Sequence, residues 1–197
     1  MKKQGLEIII GPMMSGKTTS LLYKLNTLHN IGLNILYINH SIDNRNDKCF
    51  SSHSEHIQKN NYLFEQIKIR SFKQIDSLLK HTLSHYDVIG IDEAQFYDQD
   101  ILDFVSYVVD DLKKYVIIAG LNGSFERKPF GHILQLIPLA DSIINLHSYC
   151  KLCIDNHIIS PGLFTHRLSN DTSLISVGDA HDYIPLCRKC YNELNKN

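Results

Sequence analysis

Residues Ile8–Thr19 read IIIGPMMSGKTT, and this stretch decides how the rest of the chain is interpreted. Within it, Gly11–Thr18 (GPMMSGKT) fit the pattern G-x-x-x-x-G-K-[ST]. Glycines in such a loop let backbone N–H groups wrap a phosphate, and the helix behind it adds a favourable dipole. Lys17 is then expected to reach the β- and γ-phosphates, and Thr18 to offer its hydroxyl to Mg²⁺. The alternative is a glycine-rich turn that binds nothing.

The sequence on both sides of this loop predicts an α/β fold. The apolar residues Leu6–Ile10 form a short strand, and leucines recur at helical spacing from Leu21 to Leu28, with Gly32 as the stop. Residues 34–39 form the next strand, which completes a β-loop-α-β unit typical of a parallel sheet. Further predicted elements are a helix over Phe72–Leu83, a strand over Val88–Ile91, a helix over Ile101–Leu112, a strand over Tyr115–Ala119 and a short helix over Ile133–Ile137.

A polar segment, residues 40–61, interrupts this pattern. Roughly twenty residues without regular structure inside a compact domain are typical of a functional flap or mobile loop. A solvated insertion is the alternative interpretation.

The second informative stretch is Val88–Phe96, VIGIDEAQF, in which an apolar strand ends in two adjacent carboxylates. In proteins with a phosphate loop, an aspartate at the position of Asp92 holds the Mg²⁺ shell. Glu93 is placed to take a proton from an attacking oxygen. If that oxygen belongs to water the protein is an ATPase, and if it belongs to a substrate hydroxyl the protein is a kinase. The alternative is that Glu93 only caps the following helix.

Four of the five cysteines form two C-x₂-C pairs, Cys150/Cys153 and Cys187/Cys190, separated by 33 residues. Four thiolates suit a closed tetrahedral Zn²⁺ site, and a closed site indicates a structural rather than a catalytic metal. Free buried thiols or a redox pair are the alternatives. Cys49 is left over as an expected free thiol, and the eleven histidines show no metal-binding arrangement.

Composition narrows the class of protein further. The 197 residues are 43% hydrophobic and 21% charged, with a formal net charge of −1, which indicates a globular domain with or without a small module. A protein that grips duplex backbone usually carries a basic surplus, so nucleic-acid binding is not expected. The DEAQ string also occurs in helicases, but those motors need two ATPase domains. We find no signal peptide and no apolar stretch long enough for a membrane span, and we expect a cytoplasmic protein.

The motifs, taken in order, resemble the type II thymidine kinase family, the cellular and poxvirus-like branch. IIIGPMMSGKTT is similar to its phosphate loop, IDEAQF to its catalytic strand end, and LNGSFERKPFG to its thymidine-facing loop. FTHRL, SVGDAHDY and CRKCY resemble its C-terminal lasso and zinc half-site. The resemblance covers nearly the whole chain.

The resemblance implies a RecA-like α/β domain with a mainly parallel sheet, expected over residues 1–148. A small zinc-ribbon-like domain carrying a lasso loop is expected over residues 149–197. The implied reaction moves the γ-phosphoryl group of ATP to the 5′-hydroxyl of thymidine, with deoxyuridine as a weaker substrate. Mg²⁺ and structural Zn²⁺ are the implied cofactors, dTTP the implied feedback inhibitor, and a homotetramer the implied assembly.

The resemblance also assigns individual residues. Glu93 matches the catalytic base. The implied ATP and Mg²⁺ residues are Gly11, Pro12, Met13, Met14, Ser15, Gly16, Lys17, Thr18, Asp43, Asn44, Arg45, Asp92 and Gln95. The implied nucleoside residues are Phe96, Leu121, Phe125, Phe130, Thr165, Leu174, Ile175, Ser176, Val177, Gly178 and Tyr183. Of these, Phe125 packs on the base, Leu174–Gly178 contact its edge through backbone groups, and Thr165 faces the thymine methyl.

The chain departs from the family pattern at a few positions. Ala94 replaces a glycine, which is tolerable unless the position requires a positive φ. Asn122 replaces a carboxylate, Met14 a common phenylalanine, and His166 a common lysine. These changes leave the breadth of nucleoside specificity open. Three rivals remain beside the thymidine kinase interpretation: a nucleic-acid-dependent ATPase, a non-enzymatic zinc adaptor, and a kinase for another nucleoside or nucleoside monophosphate.

Overall fold

Six strands form one sheet in which every neighbouring pair is parallel. The computed structural model describes residues 4–42, 63–78, 82–169 and 182–195. In chain order the strands are β1 Gly5–Gly11, β2 Ile35–His40, β3 Glu65–Ile69, β4 Val88–Ile91, β5 Tyr115–Leu121 and β6 Ser142–Asn145. Their spatial order is β3-β2-β4-β5-β1-β6.

Helices connect the strands and cover the sheet. They are α1 Lys17–Asn30, α2 Lys73–Leu78 and α3 Asp100–Ser106, the last continued by a π-helical turn over Tyr107–Asp111. Shorter 3₁₀ segments span Leu83–His85, Ala94–Phe96 and Ile133–Leu139.

Strand β1 shows that the sheet lies between two hydrophobic clusters, one on each face. Its residues are buried along its whole length, and they alternate between two hydrophobic clusters. Ile8 and its even-numbered neighbours lie in the cluster that includes α3, whereas Ile9 lies in the cluster formed with Leu21 and Leu25 of α1. A strand covered on both faces carries a nearly continuous apolar run, and in β1 Glu7 alone interrupts it.

The parallel register brings the polar ends of the central strands together. Gly11 at the end of β1 lies opposite Leu121 of β5, and Ile91 at the end of β4 lies opposite Ile38 of β2. Ligands of open α/β sheets bind beyond the carboxyl ends of the strands. The carboxyl ends of the central strands therefore bring together the phosphate loop, the Asp92–Glu93 pair and the end of β2. We call this the active-site edge of the sheet, as distinct from its outer strands β3 and β6.

The C-terminal part contains two short antiparallel pairs. Strand β7 (Ser148–Tyr149) pairs with β8 (Pro161–Gly162), and β9 (Phe164–Arg167) pairs with β10 (Tyr183–Leu186). Helices α4 (Lys151–Asp155) and α5 (Arg188–Leu194) each begin directly after the first cysteine of a pair and contain the second. The expected boundary between residues 148 and 149 falls inside β7, and the division into two domains stays a prediction.

Most predicted elements are present, and the two strands of the six-stranded sheet that were not predicted have a common cause. The short C-terminal strands β7–β10 and helices α4 and α5 were not predicted either. Strands β3 and β6 form the two edges of the sheet, and both carry exposed residues that hide a buried-strand pattern. The helix predicted over Ile101–Leu112 is found as α3 and its π-helical extension. The one predicted over Phe72–Leu83 appears as α2 and a 3₁₀ turn, with residues 79–81 outside the described part. Among the described residues, no helix is both long and apolar enough to cross a membrane.

Candidate active site

The phosphate loop needs its two glycines for different reasons, close packing at Gly11 and backbone conformation at Gly16. A Cβ at Gly11 would lie 2.5 Å from the Leu146 carbonyl oxygen and 2.7 Å from Ser15 Oγ, so a larger residue does not fit. Gly16 has φ 79°, a left-handed conformation that glycine adopts without steric cost. Met14 also has a positive φ, of 59°, which is uncommon for a residue with a side chain. The loop conformation therefore requires both glycines of the motif.

The charged side chain of the loop is held close to its backbone. Lys17 Nζ donates to the carbonyl oxygen of Pro12 at 2.7 Å, and Ser15 Oγ donates to the same oxygen at 2.9 Å. The first turn of α1 has no acidic residue and no side-chain cap. Its N–H groups and positive dipole end are therefore suited to a phosphate.

Two hydroxyls from distant parts of the chain hold the main chain of the loop. The backbone N–H of Met13 donates to Thr165 Oγ1 at 3.0 Å, across 152 positions of sequence. Ser148 Oγ donates to the carbonyl oxygen of Met14, also at 3.0 Å. Thr165 is buried and Met13 is half-buried, so the threonine side of this contact is shielded from water. The C-terminal segment thus helps to set the shape of the phosphate loop.

Asp92 lies directly after β4 and is 2% exposed. Its Oδ2 accepts a hydrogen bond from the Tyr37 hydroxyl at 3.0 Å, its Oδ1 accepts from the Glu93 backbone N–H at 2.9 Å, and the Thr18 hydroxyl also bonds to the carboxyl group. Burial, followed by the charge of Glu93, raises the pKa of Asp92 to about 7. A divalent cation would favour the ionised form and fits this carboxylate beside Thr18.

Replacing Asp92 with asparagine should stabilise the ligand-free protein at pH 8. A raised pKa means that the folded state binds the proton more tightly, so the contribution of Asp92 to stability falls as pH rises from about 4 to about 7. Asparagine stays neutral, and the Tyr37 and Thr18 hydroxyls can reverse to accept from its amide. We expect the free energy of unfolding to rise by on the order of 1–3 kcal/mol, and each kcal/mol should raise the melting temperature by about 2–4 °C.

Thermal denaturation without nucleotide, at intervals from pH 5 to pH 8, measures this effect. The gain of Asp92→Asn over wild type should shrink towards pH 5, where wild type is protonated too. A variant less stable than wild type by the same amount at both ends would contradict the assignment.

Glu93 has a strained backbone and a fixed side chain. Its φ of 51° is left-handed, a conformation that costs free energy and tends to occur at functional sites. The side chain makes no cap to the following 3₁₀ turn, so helix capping does not explain the residue. Its Oε2 accepts a hydrogen bond from Gln95 Nε2 at 2.6 Å. Ala94 is not among the residues with positive φ, which is why its methyl group is tolerated there.

Aromatic residues surround the same edge of the sheet. The rings of Phe96 and Phe130 meet edge to face, 5.6 Å apart. The buried guanidinium of Arg167 lies 4.5 Å from the centre of the Phe125 ring and hydrogen-bonds to the hydroxyl of Tyr183. The predicted aromatic residues from the loop after β5 and from β10 are thus brought together through an arginine that the sequence analysis did not single out.

The loop after β5 is tied to helix α5. Tyr191 donates its hydroxyl proton to the carbonyl oxygen of Phe125 at 2.5 Å. The Arg127 guanidinium lies 4.4 Å from the Tyr191 ring centre and donates to Asn192. Because α5 begins at the second cysteine pair, this connection links Phe125 to the cysteine cluster.

The four cysteines form one candidate metal centre. The Sγ atoms of Cys150, Cys153, Cys187 and Cys190 all lie within 4.8 Å of one another. Cys153 Sγ is 3.8 Å from Cys187 Sγ and 3.7 Å from Cys190 Sγ. A tetrahedral zinc with bonds of about 2.3 Å places its sulfurs about 3.8 Å apart. The thiolates therefore fit Zn²⁺, and a shell filled by four protein ligands fits a structural role.

His40 at the end of β2 is a site residue that the sequence analysis did not assign. Its Nδ1 accepts from the Ile42 backbone N–H at 3.1 Å, so Nε2 carries the proton and donates to the Arg70 carbonyl oxygen at 3.2 Å. The ring packs against those of Phe96 and Tyr97. Burial lowers the pKa of His40 and favours this neutral form. Only its position after a central strand could have identified it from the sequence.

Several predicted site residues cannot be placed. They lie outside the described residues: Asp43, Asn44, Arg45, Leu174, Ile175, Ser176, Val177 and Gly178. The roles assigned to the others stay predictions. Gln95 is predicted as an ATP and Mg²⁺ residue, and in the structure its side chain bonds to Glu93 and to the Leu121 backbone.

This arrangement defines a class: a P-loop nucleotide-binding protein equipped for phosphoryl transfer. Two solved structures share the fold, each with a TM-score of 0.50. They are the flagellar accessory protein FlaH from Methanocaldococcus jannaschii (16% identity, 76% of this chain and 73% of that chain) and the genome packaging NTPase B204 from Sulfolobus turreted icosahedral virus 2 (17% identity, 75% and 76%). At such low identity they show the fold alone.

The chain belongs to the thymidine kinase family, whose model matches residues 4–191. The thymidine kinase of Choristoneura fumiferana entomopoxvirus is 37% identical over 194 residues, covering 96% of this chain and 97% of the relative. That of Vaccinia virus (strain Ankara) is 36% identical over 186 residues, covering 94% and 96%. That of Oryza sativa subsp. japonica is 36% identical over 187 residues and covers 94% of this chain but 65% of the relative.

Proposed function

We propose that this chain transfers the γ-phosphoryl group of ATP to the 5′-hydroxyl of thymidine, giving dTMP for DNA precursor synthesis. The observation that carries the proposal is Glu93, a carboxylate held by a 2.6 Å hydrogen bond at the strand end beside Asp92. Family membership supplies the substrates. The reaction needs a base at this position, because a hydroxyl must lose its proton to become part of a phosphate ester.

The phosphate loop binds ATP. Backbone N–H groups of Gly11–Thr18 and the positive end of α1 hold the phosphates, and Lys17 contributes its charge. Thr18 and Asp92 would hold Mg²⁺, which when bound neutralises charge on the β- and γ-phosphates. The contacts of Thr165 and Ser148 keep the main chain of this loop in place.

Glu93 acts on the acceptor. The 5′-oxygen forms a bond to the γ-phosphorus while the bond from that phosphorus to the bridging oxygen breaks, and ADP leaves with the electron pair. Glu93 takes the proton of the hydroxyl. Positioning of the two reactants and stabilisation of charge contribute more than the proton transfer itself, because the protein lowers the barrier to phosphoryl transfer mainly in these two ways.

The thymine base is proposed to lie among the aromatic residues of this edge. Phe125 and Tyr183 supply apolar walls, and Arg167 holds them relative to one another. Phe96, three residues after Glu93, packs against Phe130. The bond from Met13 fixes the side chain of Thr165, whose methyl group is proposed to meet the thymine methyl. Leu121 and residues 174–178 complete the proposed set.

Three further properties are proposed from family membership. They are inhibition by dTTP, assembly as a homotetramer and a cytoplasmic location. Each is tested on the purified or expressed protein: phosphotransfer with added dTTP, light scattering and cell fractionation.

Transfer of labelled γ-phosphate from Mg·ATP to a panel of nucleosides tests the proposed function. Thymidine should give labelled dTMP. Deoxyuridine lacks one methyl group and should react roughly 10–200-fold less efficiently. Deoxyguanosine should give no product, because a pocket shaped for a pyrimidine edge excludes the larger ring.

The same assay separates the rivals. Free phosphate without labelled nucleoside, particularly if DNA or RNA increased its release, would identify an ATPase. Equal rates with deoxyguanosine would refute the pyrimidine pocket, and a protein that does not bind Mg·ATP would be the adaptor.

A further inference from the structure

The side chain of Gln95 bridges two central strands at the active-site edge. Its Nε2 donates to Glu93 Oε2 at 2.6 Å, and its Oε1 accepts from the Leu121 backbone N–H, at the end of β5, at 2.9 Å. Gln95 is 2% exposed, so its amide is shielded from bulk water, whereas the Glu93 side chain is only half-buried and stays accessible to a substrate. The two hydrogen bonds connect Glu93, two residues beyond β4, to Leu121 at the end of β5.

The orientation of this amide is fixed by chemistry. The backbone N–H of Leu121 can only donate, so it must meet the oxygen of Gln95 rather than its nitrogen. The nitrogen therefore faces Glu93, whose carboxylate accepts. A flipped amide would set a donor against a donor at one end and an acceptor against an acceptor at the other.

Two glycines make room for Gln95. A Cβ at Gly120 would lie 2.8 Å from Gln95 Oε1. A Cβ at Gly131, whose φ is +61°, would lie 2.2 Å from the Gln95 carbonyl oxygen. Any larger residue at Gly120 would clash with the side chain of Gln95, and any larger residue at Gly131 would clash with its backbone.

We propose that Gln95 is a positioning residue for phosphoryl transfer, which holds the Glu93 carboxylate in the orientation that accepts the proton of the 5′-hydroxyl. The inference rests on the proposed function of Glu93. The left-handed backbone of Glu93 sets the direction of its side chain, and the hydrogen bond from Gln95 fixes the rotation of the Glu93 carboxylate group.

Replacing Gln95 with methionine keeps its length and removes both hydrogen bonds. If Gln95 positions the base, kcat should fall about 10–100-fold, as it does for residues that orient a catalytic group, while the KM for thymidine stays within about 3-fold. The same replacement in a Glu93→Gln background should change kcat by less than about 3-fold, because residues that act as a unit are not additive. A residue that only supports the fold would cost the same factor in both backgrounds.

Replacing Gln95 with glutamate separates the two ends of the amide. Glutamate still accepts from Leu121 N–H, but it sets a second carboxylate against Glu93, so kcat should fall at least as far as in Gln95→Met. When Gln95→Glu is combined with Glu93→Gln, the direction of the hydrogen bond between residues 93 and 95 reverses: the amide at position 93 donates and the carboxylate at position 95 accepts. The double variant should recover a melting temperature close to wild type but keep the low kcat of Glu93→Gln.

Gln74→Glu is the matched control. Gln74 also accepts a backbone N–H through Oε1, from Arg70 at 2.8 Å, and it is an exposed residue of α2. This variant should keep wild-type kcat. An unchanged kcat in Gln95→Met, or an equal loss in both backgrounds, would overturn the inference. If wild type shows no transfer to thymidine, the proposed function fails alone, and the same cycle is then measured on the acceptor or hydrolysis reaction that wild type does catalyse.

Discussion

Replacing Glu93 with glutamine should lower the turnover of thymidine phosphorylation by roughly 10²–10⁴-fold, the range attributed to general-base assistance. Glutamine has nearly the same shape and can still accept the hydrogen bond that Gln95 donates at 2.6 Å. It cannot take up a proton from the 5′-hydroxyl. The loss should therefore lie in kcat, since the phosphate loop that binds ATP is not altered.

Turnover and binding of Mg·ATP have to be measured on the same sample. Asp103→Asn is a suitable control, because Asp103 is an exposed carboxylate in the first turn of α3. It should keep wild-type turnover. Near-normal turnover of Glu93→Gln with ATP binding intact would remove Glu93 from the role of base.

Replacing Cys187 with serine should destabilise the protein and raise the KM for thymidine. Cys187 is one of four thiols whose sulfurs fit a single zinc ion. It also precedes α5, whose Tyr191 holds the carbonyl oxygen of Phe125. Binding of a structural metal contributes directly to folding free energy, so losing about 5 kcal/mol would lower the melting temperature by roughly 10–20 °C.

Cys49→Ser is the matched control, because Cys49 belongs to neither C-x₂-C pair. It should keep the metal content and melting temperature of wild type. Zinc content is measured by elemental analysis, and treatment of wild type with a chelator should reproduce the effect of Cys187→Ser. A metal-free sample that melts and turns over like wild type would contradict a structural zinc.

The central strands, the phosphate loop and the cysteine pairs could be predicted because their signals are local. A buried parallel strand is a continuous apolar run, and the loop motif follows from the needs of a backbone that wraps a phosphate. The edge strands β3 and β6 lack such a run, and both were missed. Edge strands generally carry polar residues, which protect them from pairing with other chains.

Contacts between distant residues could not be predicted. Nothing local indicates that Thr165 bonds to Met13, or that Arg167 lies between Phe125 and Tyr183, because each pair forms only once the sheet and C-terminal strands are in place. Gln95 shows the same limit. The motif marks it as a site residue, but only the structure reveals that its amide spans from Glu93 to β5.

The hydroxyl contacts of Thr165 and Ser148 with the phosphate loop have a thermodynamic consequence. A ligand that stabilises strand β9 also stabilises the conformation in which Thr165 meets Met13. If nucleoside binding strengthens ATP binding through this contact, ATP must strengthen nucleoside binding by the same factor, because coupling free energies are reciprocal. Thr165→Val keeps the shape of the side chain but removes the oxygen that accepts from Met13. In this variant, ATP should change the affinity for thymidine less than in wild type, and thymidine should change the affinity for ATP less. The affinities for the two substrates would then be coupled through the buried hydroxyl of Thr165.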